Sequence, residues 1–307
     1  MQAALSDLLD RTKPGHGLAQ EFYTSPDLYD VEREAIFARN WIYAGHVSQI
    51  PNAGDYFLFE MDRESIILVR DRDGQIKAHA NVCRHRGSRL CREHEGSAKI
   101  FRCPYHAWAY SLDGQLISAN NMGSDFDLSQ HALKPVQVSI ISGLIFISLQ
   151  ASSPTIQPAS KALTPILEAF GTSALKIAAS ESYNIAANWK LAIENYHECY
   201  HCGPAHPEYS QHHTLKLPST EFDAQQTRMR DRWAECGVPD QAYDFQDDKA
   251  PIGAQGFAYS RSALFEGSVT GSQSGNAVAP LLGRLTQYDG GASDINLGPV
   301  SFFLIYS

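Results

Sequence analysis

The chain has 307 residues, which is long enough for two ordinary domains, and its 43% apolar and 19% charged residues are typical of a globular protein. A formal net charge of −9 argues against nucleic-acid binding, which relies on a clustered Lys/Arg surface. No apolar run approaches the ~20 residues of a membrane-spanning helix, and the N-terminus lacks the charged-then-apolar pattern of a secretory signal. We therefore expect a cytoplasmic protein with neither nucleic-acid nor membrane partners.

The first half of the chain changes from helical to strand-like patterning near residue 41. Residues 27–40 carry apolar residues on one side of a predicted helix and charges on the other. Short strand-like runs follow, and Asp-Gly pairs at 73–74 and 113–114 predict tight hairpin turns between them. The pattern predicts an antiparallel β domain over residues 42–152.

The second half is less regular. A polar, proline-containing stretch at 151–160 predicts a linker, and Asn188 is a suitable N-cap for a helix over the following WKLAIENYHE. Residues 250–295 are rich in Gly, Ser, Ala and Gln and predict loops. The final PVSFFLIYS predicts a strand, and because a domain rarely ends in mid-strand, we expect the natural protein to continue beyond Ser307.

Two loops of the β domain each carry one cysteine and one histidine, as Cys83-x-His85 and Cys103-x-x-His106. Each pair follows a strand-like run, so two adjacent loops can present all four side chains to one point. In a Rieske [2Fe–2S] centre, two thiolates bind one iron and two imidazoles bind the other. A structural zinc site is the alternative, but zinc fingers usually pair Cys with Cys and His with His. The mixed pairing favours the cluster.

The stretch NVCRHRGSRLC…FRCPYHAWAYSLDGQL resembles the Rieske domain of the α subunits of Rieske non-haem iron oxygenases, and the similarity extends from about Phe22 through His206. The resemblance implies an α+β fold. In it, the antiparallel β Rieske domain at 42–152 is inserted into a helix-grip-like catalytic domain, which residues 1–41 and 153–307 form and which is incomplete at its C-terminus.

A second group of candidate ligands lies in ENYHECYHCGPAH. Asn195, Glu198 and His201 are three residues apart, which predicts one face of a helix, and Gly203-Pro204 is expected to end that helix and leave His206 free to fold back. Two histidines and one carboxylate form the facial triad of non-haem Fe(II) oxygenases. Alone, His-x4-His on a surface helix is weak evidence. Downstream of a Rieske motif it predicts a mononuclear iron site.

The resemblance also implies how the two centres cooperate. Glu198 would link iron-bound His201 to His106 of an adjacent chain in a ring-shaped homotrimer or higher oligomer, and Asn195 would lie near the iron. Electrons would come from a separate NAD(P)H-dependent reductase, with or without a ferredoxin. This fits the lack of a Gly-rich dinucleotide fingerprint after a strand.

Ring-hydroxylating members of this family carry Asp where this chain has Glu198. Glu within ECYHCGPAHP is similar to the branch that acts on quaternary amines such as glycine betaine or carnitine. The resemblance implies an oxygenase that uses O2 to hydroxylate or N-dealkylate such a substrate, whose head group needs aromatic faces because it has no donor hydrogen. An aromatic ring-hydroxylating dioxygenase remains an alternative, and a Rieske electron-transfer protein without oxygenase activity is a further one.

The family takes its third iron ligand from an Asp on a late helix. Asp289 and Asp294 lie in the glycine-rich stretch QYDGGASDINLG, which does not predict a helix. We therefore expect the carboxylate ligand beyond Ser307.

Overall fold

The structure is a computed structural model, and it describes residues 2–198, 200–213, 218–238, 257–297 and 301–306. The chain divides into two compact units. The β unit comprises residues 41–153 and 172–180, and the mixed unit comprises residues 1–40, 154–171 and 181–307. No helix in the described ranges is long and apolar enough to span a membrane.

The β unit consists of antiparallel strands, as the sequence predicts. Seven of them form one sheet in the order β1-β10-β9-β4-β3-β2-β5, and three form a second sheet in the order β6-β7-β8. In chain order they are β1 (Ile42–His46), β2 (Asp55–Met61), β3 (Glu64–Arg70), β4 (Ile76–Ala80), β5 (Glu95–Ser97), β6 (Phe101–Arg102), β7 (Ala109–Tyr110), β8 (Leu116–Ser118), β9 (Pro135–Ile141) and β10 (Leu144–Ser148).

Both predicted Asp-Gly turns are present. Gly74 joins β3 to β4 with φ +80°, and Gly114 joins β7 to β8 with φ +88°, a backbone conformation that glycine adopts without strain. Between the strands, one hydrophobic cluster contains Ile67, Val69 and Trp108 together with Cys83 and Cys103. The candidate ligand loops are therefore anchored in the core of this unit.

The mixed unit contains the helices α1 to α8 and a three-stranded antiparallel sheet in the order β11-β12-β13. The helices are α1 (Gln2–Asp10), α2 (Glu21–Thr24), α3 (Pro26–Glu32), α4 (Gln157–Ala169), α5 (Trp189–His197), α6 (Cys202–Ala205), α7 (Pro207–Ser210) and α8 (Ser219–Glu235), and the strands are β11 (Ala258–Ala263), β12 (Gly291–Asn296) and β13 (Phe302–Tyr306). A five-residue π turn, Arg33–Phe37, follows α3.

The predicted cap of α5 is confirmed, because the Asn188 side chain accepts a hydrogen bond from the amide of Lys190 at 3.1 Å. The prediction of loops over residues 250–295 is wrong where the structure describes β11 and β12. Small residues form these strands because α8 packs closely on the sheet: a Cβ at Gly291 would overlap Arg261 and Met229. That close packing stabilises residues with low intrinsic strand propensity. The part of the stretch from 250 to 256 lies outside the described residues.

Candidate metal centres

The two cysteines of the first motif lie in loops with the same hydrogen-bond pattern. Cys83 accepts from the amide of Gly87 and donates to the carbonyl of Ser88, at 3.0 and 2.8 Å. Cys103 accepts from Ala107 and donates to Trp108 at the same two distances. Each loop is therefore closed by bonds to the fourth and fifth residues after its cysteine. Both cysteines are only 2% exposed.

The sulfur atoms lie among hydrogen-bond donors. The phenol oxygen of Tyr110 is 3.3 Å from Sγ of Cys83 and accepts from the amide of Arg84 at 3.0 Å. Burial raises the pKa of Cys103, but hydrogen bonds from the amides of Tyr105 and His106, with further ones from side chains, outweigh it, so that the pKa is lowered overall. Such donors stabilise thiolate, the form of cysteine that binds metal.

The two histidines form a pair of their own. The ring centroids of His85 and His106 are 4.5 Å apart, and the ring of His85 stacks on Trp108 at 4.8 Å. The Nδ1 atom of His85 is buried and has no hydrogen-bond partner in the described part of the chain. A buried nitrogen with a free lone pair is what a metal-binding imidazole presents.

The four donors form one cysteine pair and one histidine pair. Cys83 and Cys103 are close enough to influence each other's ionisation, and the two imidazoles are adjacent. Over the described ranges, no group of three or more His, Cys, Asp or Glu side chains is spaced to surround one metal ion. Tetrahedral zinc needs four ligands around one point, whereas a Rieske cluster needs two at each of two irons.

In the second motif, the predicted continuous helix is wrong. Helix α5 ends at His197, and Glu198 is extended, with φ −120° and ψ 139°. Its Oε2 accepts from the amides of Tyr200 and His201 at 2.6 and 3.3 Å, and this side-chain capping competes with continuation of the helix. Gly203-Pro204, expected to end the helix, lies within the separate short helix α6.

The turn nevertheless brings together the residues that the sequence singled out. The ring centroids of His201 and His206 are 5.2 Å apart. Oε1 of Glu198 lies 2.6 Å from Nδ1 of His201, and Nδ2 of Asn195 lies 2.9 Å from the Nε2 atom of the same ring. The contact with Glu198 assigns the ring proton to Nδ1, so Nε2 is the acceptor of the ring, and in this structure its lone pair takes the hydrogen bond from Asn195. The hydrogen bond from His201 also lowers the pKa of Glu198.

The two aspartates of the glycine-rich stretch have other partners. Asp289 forms a buried ion pair with Arg261, and Asp294 accepts a hydrogen bond from the hydroxyl of Tyr196 at 3.1 Å. Within the described ranges, no carboxylate joins His201 and His206 at the spacing of a metal site. The expectation of a third ligand beyond Ser307 stays a prediction.

Sequence reasoning missed Tyr110, the tyrosine against Cys83, and the contact between Tyr196 and Asp294. Tyr110 stands in a strand pattern that also fits an ordinary core residue. Tyr196 and Asp294 are 98 positions apart, so no local motif joins them.

Comparison with known proteins agrees with both centres. Residues 40–137 match the family model of the Rieske [2Fe-2S] domain, and residues 172–257 match that of the ring-hydroxylating α subunit catalytic domain. The chain therefore belongs to the α subunits of Rieske non-haem iron oxygenases, as the sequence motif predicts. The two domains imply a Rieske cluster and a mononuclear iron.

Within this family the chain is similar to proteins that act on quaternary amines. It is 36% identical over 296 residues to the glycine betaine monooxygenase oxygenase subunit of Chromohalobacter salexigens, covering 94% of this chain and 65% of that protein. It is 42% identical to the carnitine monooxygenase oxygenase subunit of Escherichia coli, over 62% of this chain and 52% of that protein. The chain thus spans between about half and two thirds of the length of these relatives.

A solved structure agrees over most of the chain. It is that of a quaternary ammonium Rieske monooxygenase described for carnitine oxidation and inter-subunit electron transfer. The TM-score is 0.66 at 26% identity, with coverage of 93% of this chain and 67% of that one.

Proposed function

We propose that this chain is the oxygenase component of a Rieske system, which uses O2 and electrons from a separate NAD(P)H-dependent reductase to hydroxylate or N-dealkylate a small quaternary amine. The observation that carries the proposal is the presence of two ligand sets in one chain. Cys/His loops lie in the β unit, and the paired histidines His201 and His206 lie in the mixed unit. A protein that only carries electrons would not need the second set of ligands.

The assignment of ligands follows the pairing of the side chains. Cys83 and Cys103 hold one iron of the cluster, and His85 and His106 hold the other. When bound, the cluster supplies single electrons at a potential that histidine ligation raises. Backbone amides lower the pKa of Cys103, and the Tyr110 hydroxyl is a hydrogen-bond partner of Cys83, whose pKa burial raises. On this assignment the β unit is the Rieske domain and the mixed unit is the catalytic domain.

His201 and His206 hold the mononuclear iron, which supplies O2 activation when it is bound. Glu198 fixes the proton of His201 on Nδ1, as a carboxylate partner does for many metal-bound imidazoles. This leaves Nε2, which here accepts from Asn195, as the nitrogen that would bind the metal. Asn195, whose amide lies against the same ring, restricts how the ring can turn.

Electron transfer between chains requires that both ends of the bridge be open to a partner. The side chain of Glu198 is 48% exposed although it holds His201, and His106 is exposed beside Tyr105, which is itself 60% exposed. Both groups can therefore meet a second copy of the chain. We propose that Glu198 of one chain accepts a hydrogen bond from His106 of its neighbour in a homotrimer.

The substrate class rests on the relatives that act on glycine betaine and carnitine and on the Glu at position 198. A panel of glycine betaine, carnitine and aromatic acids, each supplied with NADH and a reductase, tests it through substrate-dependent O2 uptake. Turnover of the methylated amines supports the proposal. Turnover of aromatic acids alone would make the chain a ring-hydroxylating dioxygenase subunit.

The bridge is tested by Glu198→Gln in the purified oxygenase. The variant should retain the visible spectrum of the cluster and lose about 10–100-fold of its turnover, because an outer partner of a metal ligand is altered. Glu208→Gln, an exposed carboxylate ten positions further on, is the matched control and should be unaffected. Full activity in Glu198→Gln would refute the bridge. A colourless protein that contains zinc but no acid-labile sulfide would refute the cluster.

A further inference from the structure

Asp294 is a carboxylate in the sheet of the mixed unit, and none of its contacts within the described ranges is with a cation. On β12 it lies opposite Ser260 of β11 and Leu304 of β13. Burial raises the pKa of Asp294, and its hydrogen bond from Tyr196 offsets this only in part. No Lys or Arg among the described residues forms an ion pair with it. Asp294 is half-buried, and a carboxylate removed from water without a counterion is costly unless a ligand or a hydrogen-bond network compensates it.

The nearest cation in the same sheet already pairs with another carboxylate. Arg261 lies one position away in the register, opposite Ser293, and therefore on the other face. There it pairs with Asp289 and its guanidinium lies 3.3 Å from the ring centroid of Trp233 on α8. On one face of the sheet the charges are paired next to α8, and on the other face Asp294 has no positive partner among the residues that the structure describes.

Tyrosine rings surround Asp294 on that second face. Tyr306 lies opposite Ala292, two positions along from the partner of Asp294, so the two side chains are diagonal neighbours. Tyr196 reaches the carboxylate from α5, at 3.1 Å. Tyr209 stacks on His213 with ring centroids 3.5 Å apart, and His213 meets the ring of Tyr306 at 5.9 Å.

The shifted pKa values of these side chains agree with their proximity to Asp294. Burial and then the charge of Asp294 raise the pKa of Tyr306 to about 12. Burial, the neighbouring Tyr306 and the charge of Asp294 also raise the pKa of Tyr209. Burial lowers the pKa of His213, so this ring is neutral at neutral pH and adds no positive charge. The group is an anion lined by aromatic rings.

We propose that Asp294 and the rings of Tyr196, Tyr209 and Tyr306 bind the quaternary ammonium group of the substrate. Such a head group has no N–H to donate, so it gains from a negative charge and from neighbouring aromatic rings, and this group of side chains contains both. A primary ammonium would need three acceptors, and a neutral aromatic molecule would leave the carboxylate uncompensated.

The placement of these residues connects the site to the candidate iron ligands. Tyr196 follows Asn195 on α5, and α7, which carries Tyr209, begins immediately after His206. The same two segments thus carry the metal-directed side chains and two of the three rings. The inference deepens the proposed function and rests on its assignment of a quaternary-amine substrate.

Binding is tested by calorimetry on the purified, cluster-containing protein, with choline and its neutral isostere 3,3-dimethylbutan-1-ol as probes. Wild-type protein should bind choline at least about tenfold more tightly than the alcohol, since charge is the only large difference between them. Asp294→Asn should weaken choline about tenfold and leave the alcohol unchanged, whereas Asp231→Asn on the exposed side of α8 should change neither. Equal affinities in wild-type protein, or unchanged choline binding in Asp294→Asn, would overturn the proposal.

A second pair of variants covers the case in which Asp294→Asn does not fold. Tyr306→Phe keeps the ring and should bind choline within about twofold of wild type, while Tyr306→Leu removes the ring and should bind severalfold more weakly. Equal choline affinity in these two variants would contradict the aromatic part of the site. None of these measurements needs iron, O2 or a reductase. If turnover is absent while choline still binds, the result contradicts the proposed reaction but not the proposed binding site.

Discussion

Tyr110 connects the two ligand loops at the scale of single residues. It stands on β7, just after the Cys103 loop, and its hydroxyl reaches Sγ of Cys83 at 3.3 Å in the other loop. The side chain is fully buried, and burial together with the adjacent Cys83 raises its pKa, so the hydroxyl remains a protonated donor. A donor on a cluster ligand stabilises the reduced, more negative state.

We therefore predict that Tyr110→Phe lowers the reduction potential of the cluster. Loss of a hydrogen bond to a charged acceptor costs on the order of 1.5–3 kcal/mol, which corresponds to a decrease of about 60–130 mV for one electron. Tyr56→Phe is the matched control, because Tyr56 hydrogen-bonds to Cys91, which lies outside the ligand motif. Potentiometric titration followed in the visible range measures both variants. A potential unchanged in Tyr110→Phe would show that this hydroxyl does not act on the cluster.

His79 gives a prediction about pH. It is 4% exposed, its Nε2 lies 3.0 Å from the carbonyl of Leu112, and burial lowers its pKa below the ordinary 6.5. The unfolded chain therefore takes up a proton before the folded one does. Its contribution to stability is present above about pH 6.5 and is lost as the pH falls through the lower, folded-state pKa.

His79→Gln, which keeps a donor and does not titrate, should flatten the fall in Tm between about pH 7.5 and 5.5. The flattening follows from the direction of the shift, because only a ring whose pKa is lower in the folded chain makes stability fall as the pH decreases. His16→Gln alters an exposed ring and should leave the pH profile as it is in wild-type protein. Thermal scans at several pH values provide the comparison. If Tm falls with pH at the same slope in wild type and His79→Gln, His79 does not contribute to the pH dependence of stability.

At the scale of elements, the two ligand loops are built alike but differ at one position. Four residues after its cysteine, the first loop has Gly87 with φ +72°, and the second has Ala107 with φ +60°. A Cβ at Gly87 would meet no atom within 4 Å, so only backbone strain opposes a larger residue there. The left-handed conformation costs a non-glycine residue about 1–2 kcal/mol.

These two positions form a reciprocal pair of predictions. Gly87→Ala should destabilise the β unit by about 1 kcal/mol, and Ala107→Gly should stabilise it by about 0.5–1 kcal/mol, because glycine relieves the strain at some cost in unfolded-state entropy. Shifts in Tm of about 2–4 °C per kcal/mol are expected. The visible spectrum of the cluster should be the same in both. Shifts of the same sign would contradict the argument from backbone strain.

The sequence predicted elements well where the determining interactions are local. The Asp-Gly turns, the Asn188 cap and the Cys/His loops each depend on residues within a few positions of one another. The end of α5 was missed because the Glu198 side chain bonds to the amides after it, which helical periodicity does not reveal. Strand β12 was missed because its small residues owe their conformation to α8, more than fifty residues earlier in the chain.

At the scale of the whole molecule, the chain carries its two sets of candidate ligands in separate units. The β unit holds Cys83, His85, Cys103 and His106, and the mixed unit holds Asn195, Glu198, His201 and His206. Sequence motifs identify both sets because each lies within about 25 consecutive residues. The tyrosines around Asp294 could not be identified in this way, because α5, α7, β12 and β13 bring them together only in the fold.

If electrons pass only between neighbouring chains, two variants that are inactive alone should regain activity when they assemble together. Cys103→Ser removes a proposed cluster ligand and His206→Ala removes a proposed iron ligand, and each variant alone should be inactive. In co-expressed mixed trimers, an interface is productive when its donor chain has the cluster and its acceptor chain has the iron. With equal, random mixing, one half times one half gives about a quarter of wild-type turnover in a closed ring.

The control uses the same two variants purified separately and mixed under conditions without subunit exchange, which should remain inactive. O2 uptake coupled to NADH oxidation measures all four samples. Transfer within a single chain requires both centres in the same molecule and predicts no recovery in the mixed trimers. Recovery near a quarter would instead place the cluster of one chain next to the Glu198 of another. The exposure of Glu198 and His106 allows this arrangement.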